Sequence, residues 1–392
     1  MNVRTDPDAL AGATSPFFSP EHEMLRDQVR RFVDEEIKPH ADAWEEAGFV
    51  PREVLRRMGA LGFFGVRYPE AHGGSDMDTL ATVVLAEELG RSTYSGVAIT
   101  ALVHTDMASV HLFNAGSEAL KRRWMPKVIS GEAITAVAVT EPDAGSDVKS
   151  MRTTARRVEG GYLLNGTKIY ITNGVHADLV CVAAKTATDG PASRGVTMFL
   201  VEKGAPGFRV ARALDKHGWL SSDTAELVFE DCFVPEDAVL GEEGRGFYAI
   251  MRNFQNERIV LGAMAVGEAS AALDLTLDYL RSRRAFGAPL WEKGAIRGRL
   301  AMLAARVEAA RQLVYVTAWR DARGQDVTKE VSMVKALCGE LVNEVMYDCV
   351  QFHGGFGFMR GTAIERMSRD ARVQAIGGGA TEVMLEEVAK RM

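Results

Sequence analysis

The chain is short of the features that mark metal, nucleic-acid or membrane proteins. Its four cysteines, Cys181, Cys232, Cys338 and Cys349, stand far apart with no CxxC or Cys/His spacing. Neither zinc nor a disulfide framework is therefore expected, and a reducing compartment fits. A basic surplus is missing too: the net charge is −7, and no Lys/Arg-rich face offers a nucleic acid a surface or an anionic membrane an electrostatic attraction. Apolar runs such as Ala133–Val139 are far too short to span a bilayer, so no membrane insertion is expected. The first residues carry Asp6 and Asp8 and lack both the apolar stretch of a signal peptide and the acid-poor composition of an organelle-targeting peptide. The expectation is a cytoplasmic protein with a loose tail over residues 1–19.

Several common chemistries drop out with their motifs. The glycines of 354–361 have the wrong spacing for a GxGxxG dinucleotide loop, and the phosphate loop, HExxH and GxSxG are missing. The histidines, among them His104, His111, His217 and His353, show no ligand pairing, so structural roles are expected for them and metal is not. Glu87 and Glu88 are adjacent on a helical pattern, where neighbouring side chains diverge, and are not expected to act as a carboxylate pair.

What is present is a change of texture along 392 residues, enough for two or three units with sizeable cores. Residues 20–133 read as helical: Met24, Val29, Phe32, Val33 and Ile37 recur at three- and four-residue spacing. Residues 134–242 turn to short β-rich runs, with Tyr162–Leu164 and Lys168–Thr172 flanking Asn165-Gly166, a dipeptide that predicts a tight hairpin turn. Residues 243–392 are helical again. Helices, then consecutive strands, then helices exclude a doubly wound α/β fold and predict a mostly α protein with a central β domain.

Two stretches carry chemistry. AVTEPDAGSDVKS, Ala138–Ser150, is a strand followed by a turn rich in Pro, Gly, Ser and Asp. It reads either as an ordinary acidic loop or as a nest of N–H and hydroxyl groups for anionic or carbonyl oxygens. In the first long helix after the strands, Phe247, Ile250, Phe254, Glu257, Leu261 and Met264 recur at spacings of three and four, which puts Glu257 on an apolar stripe. A carboxylate there is either a structural group paired with Arg252 or Arg258, or a base whose proton affinity is raised by burial.

The first stretch resembles, at every position, the first signature of the acyl-CoA dehydrogenase family. Gln351–Asp370 is similar to its second, except that Gly361 stands where an acidic or amide residue is usual. Further landmarks lie at Lys168–Gly174, Ser221–Pro235 and Arg283–Gly287, so the resemblance covers nearly the whole chain. It implies a helical domain, a β-barrel-like middle domain and a C-terminal four-helix bundle, assembled as a homotetramer that binds FAD.

The resemblance also implies roles. Val137, Val139 and Thr140 would hold the pyrimidine edge of the flavin, Tyr170 would stack on its ring, Thr172 would face N5, and Ser146 would lie near the pyrophosphate and the thioester. Read without the family, Tyr170 and Thr172 are simply residues of a half-buried hairpin strand. Arg283 and Phe286 would reach the FAD of a neighbouring subunit, and Gln351, Gly354 and Gly355 would clasp its adenosine half. Gly355 is read as leaving room for close approach. Ala380, in place of a usual Thr, and Glu382 match another cofactor contact, while Gly294 stands where Gln is usual. Many members carry the base just before a Gly of a C-terminal loop, but the matching position is Gly378. A minority carry it at the position of Glu257, and Gly246–Gly262 looks most like the long-chain enzymes. Phe254, Gln255, Arg258, Ser146 and Gly378 would then contact substrate.

The expected reaction is α,β-dehydrogenation of a long or branched acyl-CoA to a trans-2-enoyl-CoA, with reoxidation by an electron-transferring flavoprotein. An acyl-CoA oxidase using oxygen and a flavin- or CoA-binding scaffold without a base remain as alternatives.

Overall fold

The computed structural model describes residues 15–187 and 195–392. Part of the expected loose tail, residues 1–14, lies outside them. The rest is docked: Phe18 meets Tyr315 edge-on with ring centroids 4.8 Å apart, and Phe17 lies beside Tyr315 and Trp319. Two aromatic rings gain more from burial than a polar tail would.

The chain first forms α1 (Pro20–Phe32), a π-helical turn (Val33–Ile37), α2 (Ala41–Ala47), α3 (Arg52–Ala60) and α4 (Thr79–Gly90). Next come α5 (Ser95–Leu102), a second π-helical turn (Val103–Ala108), α6 (Ser109–Ala115) and α7 (Glu118–Ile129). Pro20 suits the first turn of α1, where no backbone donor is needed, and Asp78 caps α4 by accepting the Leu80 N–H at 2.9 Å. Every residue of α4 is buried, Glu87 and Glu88 along with the apolar ones.

The strands are β1 (Thr135–Ala138), β2 (Thr154–Val158), β3 (Gly161–Thr172), β4 (Leu179–Lys185), β5 (Val196–Glu202), β6 (Phe208–Ala213), β7 (Thr224–Pro235) and β8 (Val239–Leu240). They form one mixed sheet in the order β6-β7-β3-β2-β4-β5-β8, with β1 parallel to β4. The hairpin expected at Asn165-Gly166 does not form. β3 runs straight through both residues, and Gly166 instead sits at an irregularity in the pairing with β7, where its φ of 151° suits glycine. The chain reverses earlier, at Glu159-Gly160, where Gly160 has φ 78°.

After the sheet come α8 (Gly246–Ser282), the two-residue strands β9 (Arg284–Ala285) and β10 (Ala288–Pro289), α9 (Gly294–Asp321), α10 (Thr328–His353), α11 (Gly355–Phe358), α12 (Ala363–Ala371) and α13 (Thr381–Ala389). Helices α8, α9, α10 and α13 pack as a bundle. One apolar core joins α1, α4 and α5 to α8, α9 and α10, and a second fills the sheet together with α6 and α7. The helical stretches on either side of the strands therefore share one interior.

Two contacts show how closely α4 and α8 approach. A Cβ on Gly90 would lie 2.4 Å from the Met264 carbonyl oxygen, and one on Gly267 would lie 2.1 Å from that of Glu87. Glu87 and Glu88 diverge as adjacent helical positions should. Glu87 accepts from Arg311 at 2.9 Å and from Tyr315, while Glu88 pairs with Arg26 and Arg30. These buried pairs tie α1 and α9 to α4. By length and mean hydropathy alone, Ser95–Ala115 and Gly246–Ser282 could cross a bilayer, which a search for unbroken apolar runs misses; in the fold 89% of each apolar window is buried.

Candidate active site

Glu257 lies on the apolar stripe of α8 and is only 6% exposed, with Ile250, Leu261 and Met264 buried along the same face. Neither arginine considered as its partner pairs with it; among the described residues Glu257 makes no salt bridge. Its partner is Asn253, one turn earlier, whose Nδ2 donates to Glu257 Oε1 at 2.9 Å and to the Met107 carbonyl at 2.9 Å. Burial pushes the carboxyl up to about 8, against the opposing pull of the Asn253 hydrogen bond and the Arg258 charge. Arg258 is affected in turn: burial lowers its guanidinium pKa, and its Nε is buried with no hydrogen-bond partner. The sequence reading missed Asn253, although its i, i+4 spacing to Glu257 was visible.

Phe254 lies about one turn before Glu257 on α8, with the Arg258 guanidinium 5.8 Å from its ring centroid. Gln255 does not join them. Its Nε2 donates to Thr328 Oγ1 at 3.1 Å, because two residues along a helix is a rotation of about 200° away from Glu257. The loop carrying Gly378 closes the other side. A Cβ at Gly378 would fall 2.3 Å from Leu261 Cδ1, and its φ is 66°. Leu261 is one turn from Glu257, so Gly378 lies against the same stretch of α8. The left-handed φ disfavours any side chain at this position, and a Cβ would in addition displace the tip of Leu261. Lys335 holds this loop by donating to the Gln374 and Gly379 carbonyls, and burial lowers its pKa to about 8. Among the described residues the Gly378 N–H donates to no protein acceptor.

The end of β1 borders both apolar cores. Val137 touches both apolar cores, Val139 is buried, and the Thr140 carbonyl accepts the Ile169 N–H at 3.0 Å. The Val139 carbonyl accepts from Lys168, whose Nζ is 3.0 Å away and also 2.8 Å from Glu141 Oε1. Burial brings the Lys168 ammonium down to about 8. The Glu141 carboxyl pKa is lowered as well, by Lys168 and the Thr153 and Arg152 N–H groups acting against the cost of its burial. A wholly buried Lys–Glu pair thus fixes the β1 end, a role the sequence reading did not assign. Two residues past Lys168, at a second irregularity of β3, Tyr170 has φ 59° and is 68% exposed. That left-handed backbone turns its ring out of the sheet beside Thr172, which is half-buried. Ser146 is exposed in the loop after β1.

The remaining expected cofactor residues lie elsewhere. Arg283 ends α8, some 26 residues beyond Glu257 or roughly 39 Å along the helix. Phe286 follows at the β9–β10 tip, 94% exposed with φ 54°. Gln351, Gly354 and Gly355 are exposed at the end of α10, near the same end of α8, where Tyr279 stacks on His353 with centroids 4.3 Å apart. A Cβ on Gly354 or Gly355 would meet nothing, so no crowding within the chain requires glycine at 355. Ala380 precedes α13 and Glu382 is exposed in its first turn. Gly294 and Gly361 also face open space, and the φ of 90° at Gly361 suits glycine over the usual acidic or amide residue. Glu257 and Gly378 thus lie at one part of α8, and Arg283, Phe286 and Gln351 gather near its far end.

Family models describing the N-terminal, middle and C-terminal domains of acyl-CoA dehydrogenase match residues 19–132, 136–232 and 244–392. The mitochondrial long-chain specific acyl-CoA dehydrogenase of Mus musculus is 38% identical over 376 residues, covering 96% of this chain and 87% of that protein. The crystal structure of acyl-CoA dehydrogenase from Geobacillus kaustophilus superposes with a TM-score of 0.93 at 38% identity, covering 96% of this chain and 99% of that one. The FAD complex of PigA superposes with a TM-score of 0.91 at 30% identity, covering 95% of this chain and 98% of that one. On the order of its elements, its sheet and these matches along nearly its full length, the chain belongs to the acyl-CoA dehydrogenase family of oxidoreductases.

Proposed function

We propose that this chain dehydrogenates an acyl-CoA thioester between its α and β carbons, with Glu257 as the base that removes the α proton. The observation that carries the reading is a buried carboxylate with no salt-bridge partner, one helical turn from Leu261, which the Gly378 loop touches. A thioester α C–H is a weak acid, so its carbonyl must be polarised, and the uncommitted Gly378 N–H is the protein donor beside the base. The residues fit a flavin: Tyr170 displays a flat ring at the sheet surface, next to a β1 end held rigid by Lys168. FAD, when bound, supplies the acceptor for the β hydride.

The protein's own task is alignment. Val139 and Thr140 hold the ring edge, Phe254 and Arg258 border the substrate, and burial by α8 keeps water from Glu257. Long or branched acyl chains are the proposed substrates, the relatives with a matching helix pattern including the long-chain enzyme. An electron-transferring flavoprotein is the proposed acceptor. The distance from Glu257 to the Arg283–Phe286 tip supports a homotetramer in which those residues serve a neighbouring subunit's FAD.

Two results test the site. The ionised carboxylate is the active form, and its pKa is raised to about 8, so anaerobic flavin bleaching should accelerate with pH and level off above about pH 8. A rate independent of pH between 6 and 9 would point to another base. Gly378→Ala adds left-handed strain and a collision with Leu261; kcat/KM should fall about tenfold, consistent with a cost of about 1–3 kcal/mol. Unchanged kinetics with a panel of acyl-CoAs would remove Gly378 from the site.

A further inference from the structure

We propose that Asn253 is a positioning residue for the base, fixing which oxygen of Glu257 is free to take the proton. This inference rests on the reading of Glu257 as base. The orientation of the Asn253 amide is set from outside the site. The Met107 carbonyl can only accept, so the Nδ2 group must face it, at 2.9 Å. The second hydrogen of that NH2 group then points to Glu257 Oε1, also at 2.9 Å. With Oε1 held by a donor, Oε2 is left to meet the α carbon.

The anchor is itself anchored. Met107 belongs to the π-helical turn Val103–Ala108, and the preceding carbonyl, that of Asp106, accepts from Asn256 Nδ2 at 2.9 Å. Two neighbouring amides of α8 thus grip two consecutive carbonyls, and the wider backbone of a π turn is suited to offering them. Asn253 is 5% exposed and its Oδ1 has no partner, so the cost of burying this amide is not explained by packing alone.

The charges around the pair are few. Arg258 of α8 acts directly on Glu257. Behind it stand Glu387 and Arg391 near the C-terminus and Lys335 of α10. On the π turn, Asp106 faces Arg67, Asn256 and Thr82, and burial raises its pKa to about 6. None of these donates to Glu257 Oε1, which leaves Asn253 as the group that favours the ionised base by hydrogen bonding.

The test is anaerobic, rapid-mixing flavin reduction by an acyl-CoA, run on the holoenzyme from pH 5.5 to 9.5. Asn253→Leu removes the donor at similar volume. A hydrogen bond to a charged group lost in this way should move the rising limb of the profile up by about one to two pH units, slowing reduction about 10- to 100-fold at pH 6, with the deficit shrinking as the pH approaches 9.5. Asn253→Asp keeps the shape and adds a like charge, and should move the limb further. Flavin content and Tm identify any variant that fails to fold, and the isosteric Asp variant then carries the test.

A limb that stays in place in both variants, or a loss of rate equal at every pH, would overturn the inference. Glu257→Gln separates it from the reading beneath. Full reduction in that variant overturns the base itself, whereas a dead Gln variant beside unshifted Asn253 profiles overturns only the role of Asn253.

Discussion

Glu257→Gln should slow anaerobic flavin reduction by about 10²–10⁴-fold, the range over which a positioned general base contributes, while the yellow cofactor and acyl-CoA remain bound. The substitution conserves volume and can still accept from Asn253, so α8 should keep its packing. It also removes a group whose burial is unfavourable when charged. Glu257 has its pKa raised to about 8, above that of an unfolded Glu, so ionising it costs stability as pH rises from the unfolded value through the folded one. The Gln variant lacks this penalty and should match or exceed the parent in Tm at pH 9, a gain that disappears at pH 5. Loss of activity with equal or better alkaline stability is a combination that a damaged fold cannot produce.

Gly267→Ala should be the more damaging change to the fold, although it adds one methyl group far from any chemistry. That methyl would sit 2.1 Å from the backbone oxygen of Glu87, and neither helix backbone can move aside locally. Forcing α4 and α8 apart should cost about 3 kcal/mol or more. Gly90→Ala meets Met264 in the same way from the other helix. Either variant should lower Tm by several degrees in a thermal melt. Because both substitutions disturb one contact, the double variant should lose less than the two single losses together. Full additivity would show that the two glycines serve different contacts.

Much of this was legible in the residues. The spacing of Phe254, Glu257, Leu261 and Met264 placed the carboxylate on a buried face before any coordinates, because helical periodicity maps directly onto burial. The shift from helical to strand texture and back was equally visible. Asn165-Gly166 misled because a glycine of positive φ serves a bulge as well as a turn, and only pairing with β7 decides between them. Phe17 and Phe18 were hidden in a tail of turn-forming residues, their partners Tyr315 and Trp319 lying some 300 positions on. Lys168 was the least readable of all, since a lysine in a strand is ordinarily solvated and its partner Glu141 belongs to a different segment. Gln255 was expected at the substrate through the resemblance alone, and two residues along α8 from Glu257 it turns to Thr328 instead.

The shared interior of the two helical stretches has a consequence for how the protein is made. Helix α4, buried along its whole length, leaves the ribosome roughly 150 residues ahead of α8, which covers one of its faces, and at ~5–20 residues per second that is on the order of ten to thirty seconds. During synthesis α4 has only α1 and α5 to lie against, and its face towards α8 stays bare, which makes the nascent chain a natural client for chaperones that shield such surfaces. Truncated products ending in the strand region should accumulate as aggregates rather than as a soluble half.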